Sequence, residues 1–225
     1  MTRIKICGNR TPADLAATSG ADAQGFIVDV PSSSRSLDPE CARALMDCVA
    51  PFTSAVLITT TTDPHRIAEL VEATEPNAVQ IHADTSPQDL GCIRASLPVG
   101  VRLIGVLPLT DDTGPHVVQR AVSLAEAPID ALLVDTQIDG RSGGTGVPHD
   151  WTLSRRIRDA IAPCPLILAG GLDPDNVREA IEVVRPYAVD VSSGAEANGR
   201  KDPDRVAALL EEVRGGPRPR HVATV

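Results

Sequence analysis

Short apolar runs recur along almost the whole chain at a regular spacing, and segments with helical periodicity lie between them. Eight runs are present, at residues 4–7, 25–28, 55–58, 78–81, 103–107, 131–134, 165–169 and 188–191. Continuous apolar runs of this length are typical of strands buried on both faces of a parallel sheet. Eight alternating strands and helices in 225 residues favour an α/β fold of the closed (β/α)8 type, the TIM barrel. An open doubly wound sheet is the alternative, but no Gly-x-Gly-x-x-Gly pattern follows the first run.

Helix starts are marked between the runs by a capping side chain that precedes proline. Such pairs occur at Asp38-Pro39, Asp63-Pro64, Ser86-Pro87 and Asp173-Pro174, and Asp150 precedes an amphipathic segment in the same way. We therefore expect a helix to begin at each of these positions. Strands that alternate with such helices are parallel and joined by right-handed crossovers.

The composition indicates one domain and excludes several classes of partner. We predict a single barrel domain over residues 1–214 and a disordered tail over 215–225, which has no periodicity. The net charge of −9 argues against generic binding to nucleic acid or to an anionic membrane. Met1 leads almost directly into the first apolar run and not into a signal peptide, and no run approaches the ~20 residues that span a bilayer. We expect a cytoplasmic protein.

The five cysteines show neither a disulfide framework nor a zinc-binding pattern, because CxxC and Cys/His ligand spacings are missing. Cys41 and Cys48 share a helical stripe with Leu45, so they are expected to be small buried hydrophobes, as are Cys92 and Cys164. Cys7 differs, because it ends the first strand and is followed by glycine.

The sixth run stops at Asp135 and is followed by a long polar loop. This loop contains glycines at 140, 143, 144 and 146 and leads to the capping Asp150. Such connections usually have roughly 2–6 residues, and longer ones are often lids or binding loops. A carboxylate at a strand end beside a glycine-rich loop suits a catalytic acid or base next to a bound anion. The alternative is an ordinary surface connection.

The active site of a (β/α)8 barrel lies at the carboxyl ends of the strands, so the residues after the other runs are also candidates. The seventh and eighth runs end at Gly170-Gly171 and Ser193-Gly194. Either turn alone fits a tight connection, but together they predict a phosphate site, since the loops after the last two strands often bind phosphate. Arg35 fits either a surface arginine or a ligand for carboxylate or phosphate. The position of His82 alone fits a packing histidine better than a base.

Several ordered motifs together resemble the phosphoribosylanthranilate isomerase family, from Lys5 to about Val213. They are Lys5-Ile-Cys-Gly8, Gly25-Phe26, Arg35, Val79-Gln-Ile-His82, Asp135 with Gly143-Gly-Thr-Gly146, Asp150-Trp151, Leu168-Ala-Gly-Gly-Leu172 with Asn176-Val177, and Val189-Asp-Val-Ser-Ser-Gly194 with Glu196 and Lys201-Asp202. The family fold is the (β/α)8 barrel. Its reaction is an Amadori rearrangement that converts an N-phosphoribosyl anthranilate into a 1-deoxyribulose 5-phosphate.

The resemblance implies a role for each candidate residue. Cys7 would be the general base that removes the C2′ proton, and Asp135 the general acid that protonates the furanose ring oxygen. The substrate would be bound by Arg35, at the anthranilate carboxylate, by His82, and by the phosphate-binding residues Gly144, Thr145, Gly170, Gly171, Ser193 and Gly194. The resemblance also implies no cofactor or metal, a small phosphorylated sugar-amine as the partner, and a monomer or homodimer.

Two regions depart from the family pattern. Ser32-Ser-Ser34 precedes Arg35 where the family usually has Lys-Ser-Pro, and Asp29 adds a carboxylate nearby. The third run, Val56-Leu-Ile-Thr-Thr60, lacks the phenylalanine that the family usually has there. These differences motivate a second hypothesis, a related isomerase of another aminated phosphosugar. A third is a non-catalytic phosphosugar-binding protein, against which the presence of both Cys7 and Asp135 argues.

Overall fold

The alternation of strands and helices is present in the structure, a computed structural model that describes residues 1–109, 114–138, 141–142 and 150–215. Those residues contain eight parallel strands at the positions of the eight apolar runs. They are β1 (Arg3–Ile6), β2 (Ala23–Val28), β3 (Ser54–Thr59), β4 (Ala78–Ile81), β5 (Arg102–Leu109), β6 (Ala131–Ile138), β7 (Leu166–Leu168) and β8 (Ala188–Val191).

The sheet is closed by its first strand. Successive strands pair in parallel from β2 to β8, and β1 pairs with both β8 and β2. The register places Lys5 opposite Asp190 on one side and opposite Ala23 on the other. A sheet without a free edge is a barrel, so the predicted (β/α)8 fold is confirmed and the open sheet is excluded.

Eight α-helices surround the strands in the described ranges. They are α1 (Pro12–Ala17), α2 (Pro39–Met46), α3 (Pro64–Thr74), α4 (Pro87–Ser96), α5 (Pro115–Ala125), α6 (Trp151–Ile161), α7 (Val177–Val184) and α8 (Pro203–Arg214). Four predicted starts are confirmed, because the side chains of Asp38, Asp63, Ser86 and Asp150 each accept a backbone N–H of the helix that follows.

The predicted helix start at Asp173-Pro174 is wrong, since α7 begins at Val177. The Asp173 carboxylate instead accepts the backbone N–H groups of Asp175 (2.9 Å) and Asn176 (3.1 Å). These bonds stabilise a turn before the helix, and the Asp173 backbone N–H in turn donates to the side-chain oxygen of Asn176 (3.0 Å). The capping chemistry is as expected, but it stabilises a turn and not the first turn of α7.

The strands have two buried faces, as the apolar runs predict. One set of side chains packs outward against the helices in a large cluster that includes Ile4, Ile6 and Phe26. The alternate set points into the barrel, where Val56, Ile58 and other small or branched side chains pack with Cys7. Successive residues of extended chain face opposite sides, so Lys5 on β1 and Cys7, which directly follows β1, both point inward.

The expectation that four cysteines are buried is wrong for three of them. Cys41, Cys48 and Cys92 are exposed, and Cys164 is partly exposed. The buried face of α2 consists of Ala42, Leu45 and Met46, so the apolar stripe is rotated by about one residue from the predicted one. Cysteine is compatible with either environment, whereas the longer Met46 side chain gains more from burial.

The sixth strand is longer than its apolar run. Asp135 does not end it, because β6 continues to Ile138 and Asp135 pairs with Pro108 of β5. Beyond the barrel the strand turns into an antiparallel ribbon with a short strand, Arg141–Ser142. Asp135 therefore sits on a paired strand, which gives its backbone a more rigid support than a loop would.

Some predictions fall on residues outside the described ranges. They concern Gly144 and Thr145, the rest of the glycine-rich loop at 143–149, and the tail beyond residue 215. In the described part of the chain, no helix has both the length and the apolar character required to cross a bilayer.

The close packing of the barrel interior can be tested at Gly25. A Cβ at this position would lie 2.9 Å from Ile58 Cδ1 and 3.1 Å from the Cys7 Cα. We expect Gly25→Ala to lower the free energy of unfolding by about 1–3 kcal/mol, because the added methyl overpacks a closed interior. The measurement is urea unfolding.

The matched control is Gly91→Ala in α4, where a Cβ would have no neighbour within 4 Å. This variant should be neutral or more stable by up to about 1 kcal/mol, since alanine is the better helix former. Equal stability of the two variants would contradict the close packing around Gly25.

Candidate functional site

Three of the predicted residues meet at the carboxyl end of the barrel. Cys7 directly follows β1, and its amide donates to the carbonyl of Val191 in β8 (2.8 Å). His82 directly follows β4, and its amide donates to the carbonyl of Thr59 in β3 (2.7 Å). Asp135 lies on β6 and is buried, with its Oδ2 3.5 Å from His82 Nε2. Barrel closure thus gathers a thiol, an imidazole and a carboxylate.

The imidazole of His82 is neutral in this arrangement. Burial lowers its pKa, and the Lys5 ammonium lowers it further, against an opposing effect of Asp190. The amide nitrogen of Gln80 lies 3.2 Å from His82 Nδ1. This contact fits the tautomer in which Nδ1 accepts from the amide and Nε2 carries the proton that faces Asp135. A neutral His82 places no positive charge beside the Asp135 carboxyl group.

A buried ion pair lies inside the barrel beside Cys7. Lys5 Nζ is 2.6 Å from Asp190 Oδ2, and the two side chains are 4% and 8% exposed. Burial by itself lowers the pKa of Lys5, but Asp190, Cys7 and Asp135 raise it above its ordinary value. The ammonium group is therefore charged at neutral pH.

The Cys7 thiol is protonated in the resting protein. Burial raises its pKa, and Asp190 raises it as well. Lys5 has the largest lowering effect on this pKa, followed by Lys201 and Arg35, but the net pKa lies above the ordinary value for cysteine. Only a small fraction is thiolate at pH 7, so a proton acceptor at this position works from a minor ionised form.

Arg35 is held at the mouth by a carboxylate from the far end of the chain. Its Nε and Nη2 donate to Glu196 Oε1 (2.9 Å) and Oε2 (2.7 Å), a two-point contact. Lys201 Nζ donates to the same Glu196 Oε1 (2.9 Å) and to the Ser192 carbonyl (3.0 Å). One carboxylate between two cations leaves a local excess of one positive charge.

The Arg35 side chain crosses directly over Gly8, next to Cys7. A Cβ on Gly8 would lie 2.8 Å from Arg35 Cδ, and Gly8 has a φ of 81°, so a side chain there would meet both steric and backbone strain. Glu196 occupies the Nε–Nη2 edge of the guanidinium, which leaves the Nη1 edge for another anion. One edge of the Arg35 guanidinium is thus bound to Glu196 within the protein.

The two predicted glycine turns lie against each other. Gly170 and Gly171 have φ values of 92° and 64°, and Asn176 Nδ2 donates to the Gly171 carbonyl (2.8 Å). Ser193 and Gly194 are in a short 3-10 helix, Ser193–Ala195. A Cβ on Gly194 would lie 1.9 Å from the Leu172 carbonyl oxygen, so the turns after β7 and β8 are in backbone contact. This proximity is what a shared anion site requires.

Asp29, the added carboxylate of the second loop, is paired. Arg66 of α3 donates from Nε to Asp29 Oδ2 (2.8 Å), and Asp29 has a φ of 58°. Its negative charge is therefore largely compensated at the mouth. Among the residues that the structure describes, no group of three or more His, Cys, Asp and Glu side chains has the arrangement of a metal site.

Sequence reasoning assigned no role to Lys5, Asp190 or Glu196, although all three lie in the motifs of the resemblance. A usable signal exists for two of them. Lys5 and Asp190 are charged residues inside apolar runs, and a charge on a buried strand requires a partner. No comparable local signal marks the contact between Glu196 and Arg35, because the two residues are 161 positions apart.

A closed (β/α)8 barrel with an acid, a thiol and a glycine-rich pair of turns at its carboxyl face is an acid–base enzyme of the TIM-barrel class. The sequence model of N-(5′-phosphoribosyl)anthranilate (PRA) isomerase matches residues 4–212. The chain belongs to the N-(5′-phosphoribosyl)anthranilate isomerase family, as the resemblance predicted.

Individual relatives agree with this assignment. The N-(5′-phosphoribosyl)anthranilate isomerase of Methanosarcina acetivorans is 43% identical over 224 residues, with 95% of this chain and 93% of that protein covered. The crystal structure of the Thermotoga maritima isomerase has a TM-score of 0.82 and 34% identity, with 96% and 100% of the two chains covered. A relative in complex with reduced 1-(o-carboxyphenylamino)-1-deoxyribulose 5-phosphate has a TM-score of 0.79 and 33% identity, with the same coverage.

The Glu196 cluster, which consists of Glu196, Arg35 and Lys201, predicts a specific pH dependence of the free energy of unfolding. Burial opposes ionisation of Glu196, but hydrogen bonds from Arg35 and Lys201 lower its pKa to about 2. The pKa of Glu196 is lower in the folded protein than in the unfolded chain. Its contribution to the free energy of unfolding is therefore complete above about pH 5 and is lost as the pH falls towards 2. Glu196→Gln should therefore cost about 2–4 kcal/mol at pH 7 in urea unfolding, and the difference from wild type should shrink below about pH 4.

The control for this measurement is Glu211→Gln, an exposed position on α8. Its stability should stay within about 0.5 kcal/mol of wild type at every pH. A Glu196→Gln deficit that is the same at pH 7 and pH 3 would show that the ion cluster does not stabilise the fold.

Proposed function

We propose that the chain converts N-(5-phosphoribosyl)anthranilate to 1-(2-carboxyphenylamino)-1-deoxyribulose 5-phosphate by an acid–base Amadori rearrangement, a step of tryptophan biosynthesis. Membership of the isomerase family supports the reaction. The single observation that carries the mechanism is that Cys7, directly after β1, and Asp135, on β6, lie at the same end of the barrel.

The chemistry requires one acid and one base. Asp135 donates a proton to the furanose ring oxygen as the bond from C1′ to that oxygen breaks, and the nitrogen lone pair forms a protonated imine. The Cys7 thiolate then removes the C2′ proton, and the resulting enolamine tautomerises to the ketone. Substrate and product have the same composition, so the reaction needs no oxidant, reductant or cofactor.

The remaining residues bind the substrate in this proposal. The Nη1 edge of Arg35 is the position for the anthranilate carboxylate, with the excess positive charge of the Glu196 cluster behind it. Gly170, Gly171, Ser193 and Gly194 hold the phosphate through backbone N–H groups. His82 keeps the Asp135 carboxyl group oriented. Gly144 and Thr145, outside the described residues, remain part of the proposed phosphate contact.

The altered second loop is compatible with an anionic aryl group. Asp29 motivated the hypothesis of a different aminated phosphosugar, because an unpaired carboxylate would repel anthranilate. Its ion pair with Arg66 removes most of that repulsion. The anthranilate substrate therefore stays the first choice, and the related isomerase is the alternative.

The proposed partner is a small phosphorylated sugar-amine, without nucleic acid or membrane. The T. maritima relative is a dimeric protein. For this chain, the choice between monomer and homodimer and the cytoplasmic location are predictions.

Cys7→Ser and Asp135→Asn test the catalytic assignment. Each variant should lower kcat by roughly 10²–10⁴-fold, the usual contribution of a general base or acid, with a much smaller change in KM. Turnover is measured by the change in aryl fluorescence as the substrate is consumed.

The control variant is Cys92→Ser, which replaces an exposed cysteine on α4 and should keep full activity. Full activity in Cys7→Ser or Asp135→Asn would refute the assignment. A folded wild-type protein without turnover, but with affinity for the product analogue, would favour the non-catalytic phosphosugar-binding hypothesis.

Gly194→Ala tests the phosphate contact. The added methyl collides with the Leu172 carbonyl, so the turn after β8 must move. We expect KM to rise at least roughly tenfold, because misplaced N–H groups lose a charge-assisted bond to the phosphate. Gly91→Ala should leave KM unchanged, and a normal KM in a folded Gly194→Ala variant would place the phosphate elsewhere.

A further inference from the structure

Lys5 is a buried cation whose N–H donors outnumber its hydrogen-bond partners among the described residues. An ammonium group has three N–H donors, and within the described residues Lys5 Nζ has one hydrogen-bond partner, Asp190. Burying an ion pair costs so much desolvation that apolar residues of similar size often replace it without loss of stability. A purely structural role therefore does not account for this pair.

The geometry brings the Lys5 side chain back towards Cys7. Both residues point into the barrel from β1, two positions apart. The point at which a Cβ of Gly25 would lie is 3.2 Å from Lys5 Cε and also 3.1 Å from the Cys7 Cα. The glycine on β2 thus leaves the space through which the lysine side chain passes beside Cys7.

We propose that the Lys5 ammonium, fixed by Asp190 inside the barrel, stabilises the thiolate of Cys7 and is a positioning residue for the reaction. This inference rests on the proposed function in assigning the thiolate a catalytic role. Lys5 acts through Cys7, by supplying a fixed positive charge where negative charge forms, and Asp190 holds that charge in place while moderating it.

The charges around Cys7 agree in sign with this role. Lys5 and, with smaller effects, Lys201 and Arg35 favour the thiolate, whereas burial and Asp190 oppose it. Lys5 is the strongest of the favourable groups. The Lys5 charge also lowers the pKa of His82, and the charge of Asp135 raises the pKa of Lys5, so Lys5 interacts electrostatically with all three reactive side chains.

The test is the pH dependence of Cys7 alkylation by iodoacetamide, followed by mass spectrometry of the Cys7 peptide, since the thiolate is the reacting form. Lys5→Met should shift the midpoint upward by about one to three pH units. Asp190→Asn should shift it downward, because the lysine charge is then unopposed. The exposed Cys92 in the same samples is the internal control and should not shift.

The double variant Lys5→Met/Asp190→Asn guards against misfolding, because it leaves no unpaired buried charge. Its Cys7 midpoint should still lie above that of wild type, since the effect of Lys5 on the thiol exceeds that of Asp190. In each active variant, the pH at which kcat/KM rises as Cys7 loses its proton should shift in the same direction as the midpoint of Cys7 alkylation.

An unshifted Cys7 midpoint in a folded Lys5→Met or double variant would overturn the inference. If neither lysine variant folds, the Asp190→Asn variant tests the inference. An unchanged or raised midpoint of Cys7 alkylation in Asp190→Asn would overturn it as well. Failure of the proposed function is distinct, because it appears as full turnover in Cys7→Ser while the alkylation midpoints still respond to Lys5.

Discussion

Closure of the sheet is the constraint on which the whole site depends. The first strand hydrogen-bonds to β2 on one side and to β8 on the other, so residues from the two ends of the chain become neighbours. Lys5 and Asp190 are directly opposite each other in that register, and the Cys7 amide is bonded to Val191. Without closure, the thiol would lack both its cation and its fixed backbone position.

The group formed by Arg35, Glu196 and Lys201 carries a local excess of one positive charge in a chain whose net charge is −9. Three carboxylates near the proposed anion sites are each paired with a basic side chain: Asp190 with Lys5, Asp29 with Arg66, and Glu196 with both Arg35 and Lys201. Global charge governs encounter with large polyanions, whereas a small phosphorylated ligand responds to the field within a few ångströms. The acidic composition and an anionic substrate are therefore compatible.

Burial of the Cys7 thiol has two opposite effects on its capacity to act as a general base. It lowers the fraction of thiolate, because a charged sulfur is poorly solvated at the end of β1. It also makes the thiolate that does form a stronger base, since basicity rises with pKa. A nearby fixed ammonium group adjusts this balance without opening the site to water, and Gly25 provides the space that its side chain requires.

The sequence by itself determined the eight strands and four of the five predicted helix starts, because local periodicity and capping specify elements. It also assigned Cys7, His82 and Asp135 to the carboxyl end of the barrel, because such barrels have their sites at that end. It could not determine element ends that depend on tertiary pairing, such as the extension of β6 beyond Asp135. Only the tertiary structure decided the partners of Lys5 and Arg35, at sequence separations of 185 and 161. Such contacts depend on register and closure, which no local pattern of residues encodes.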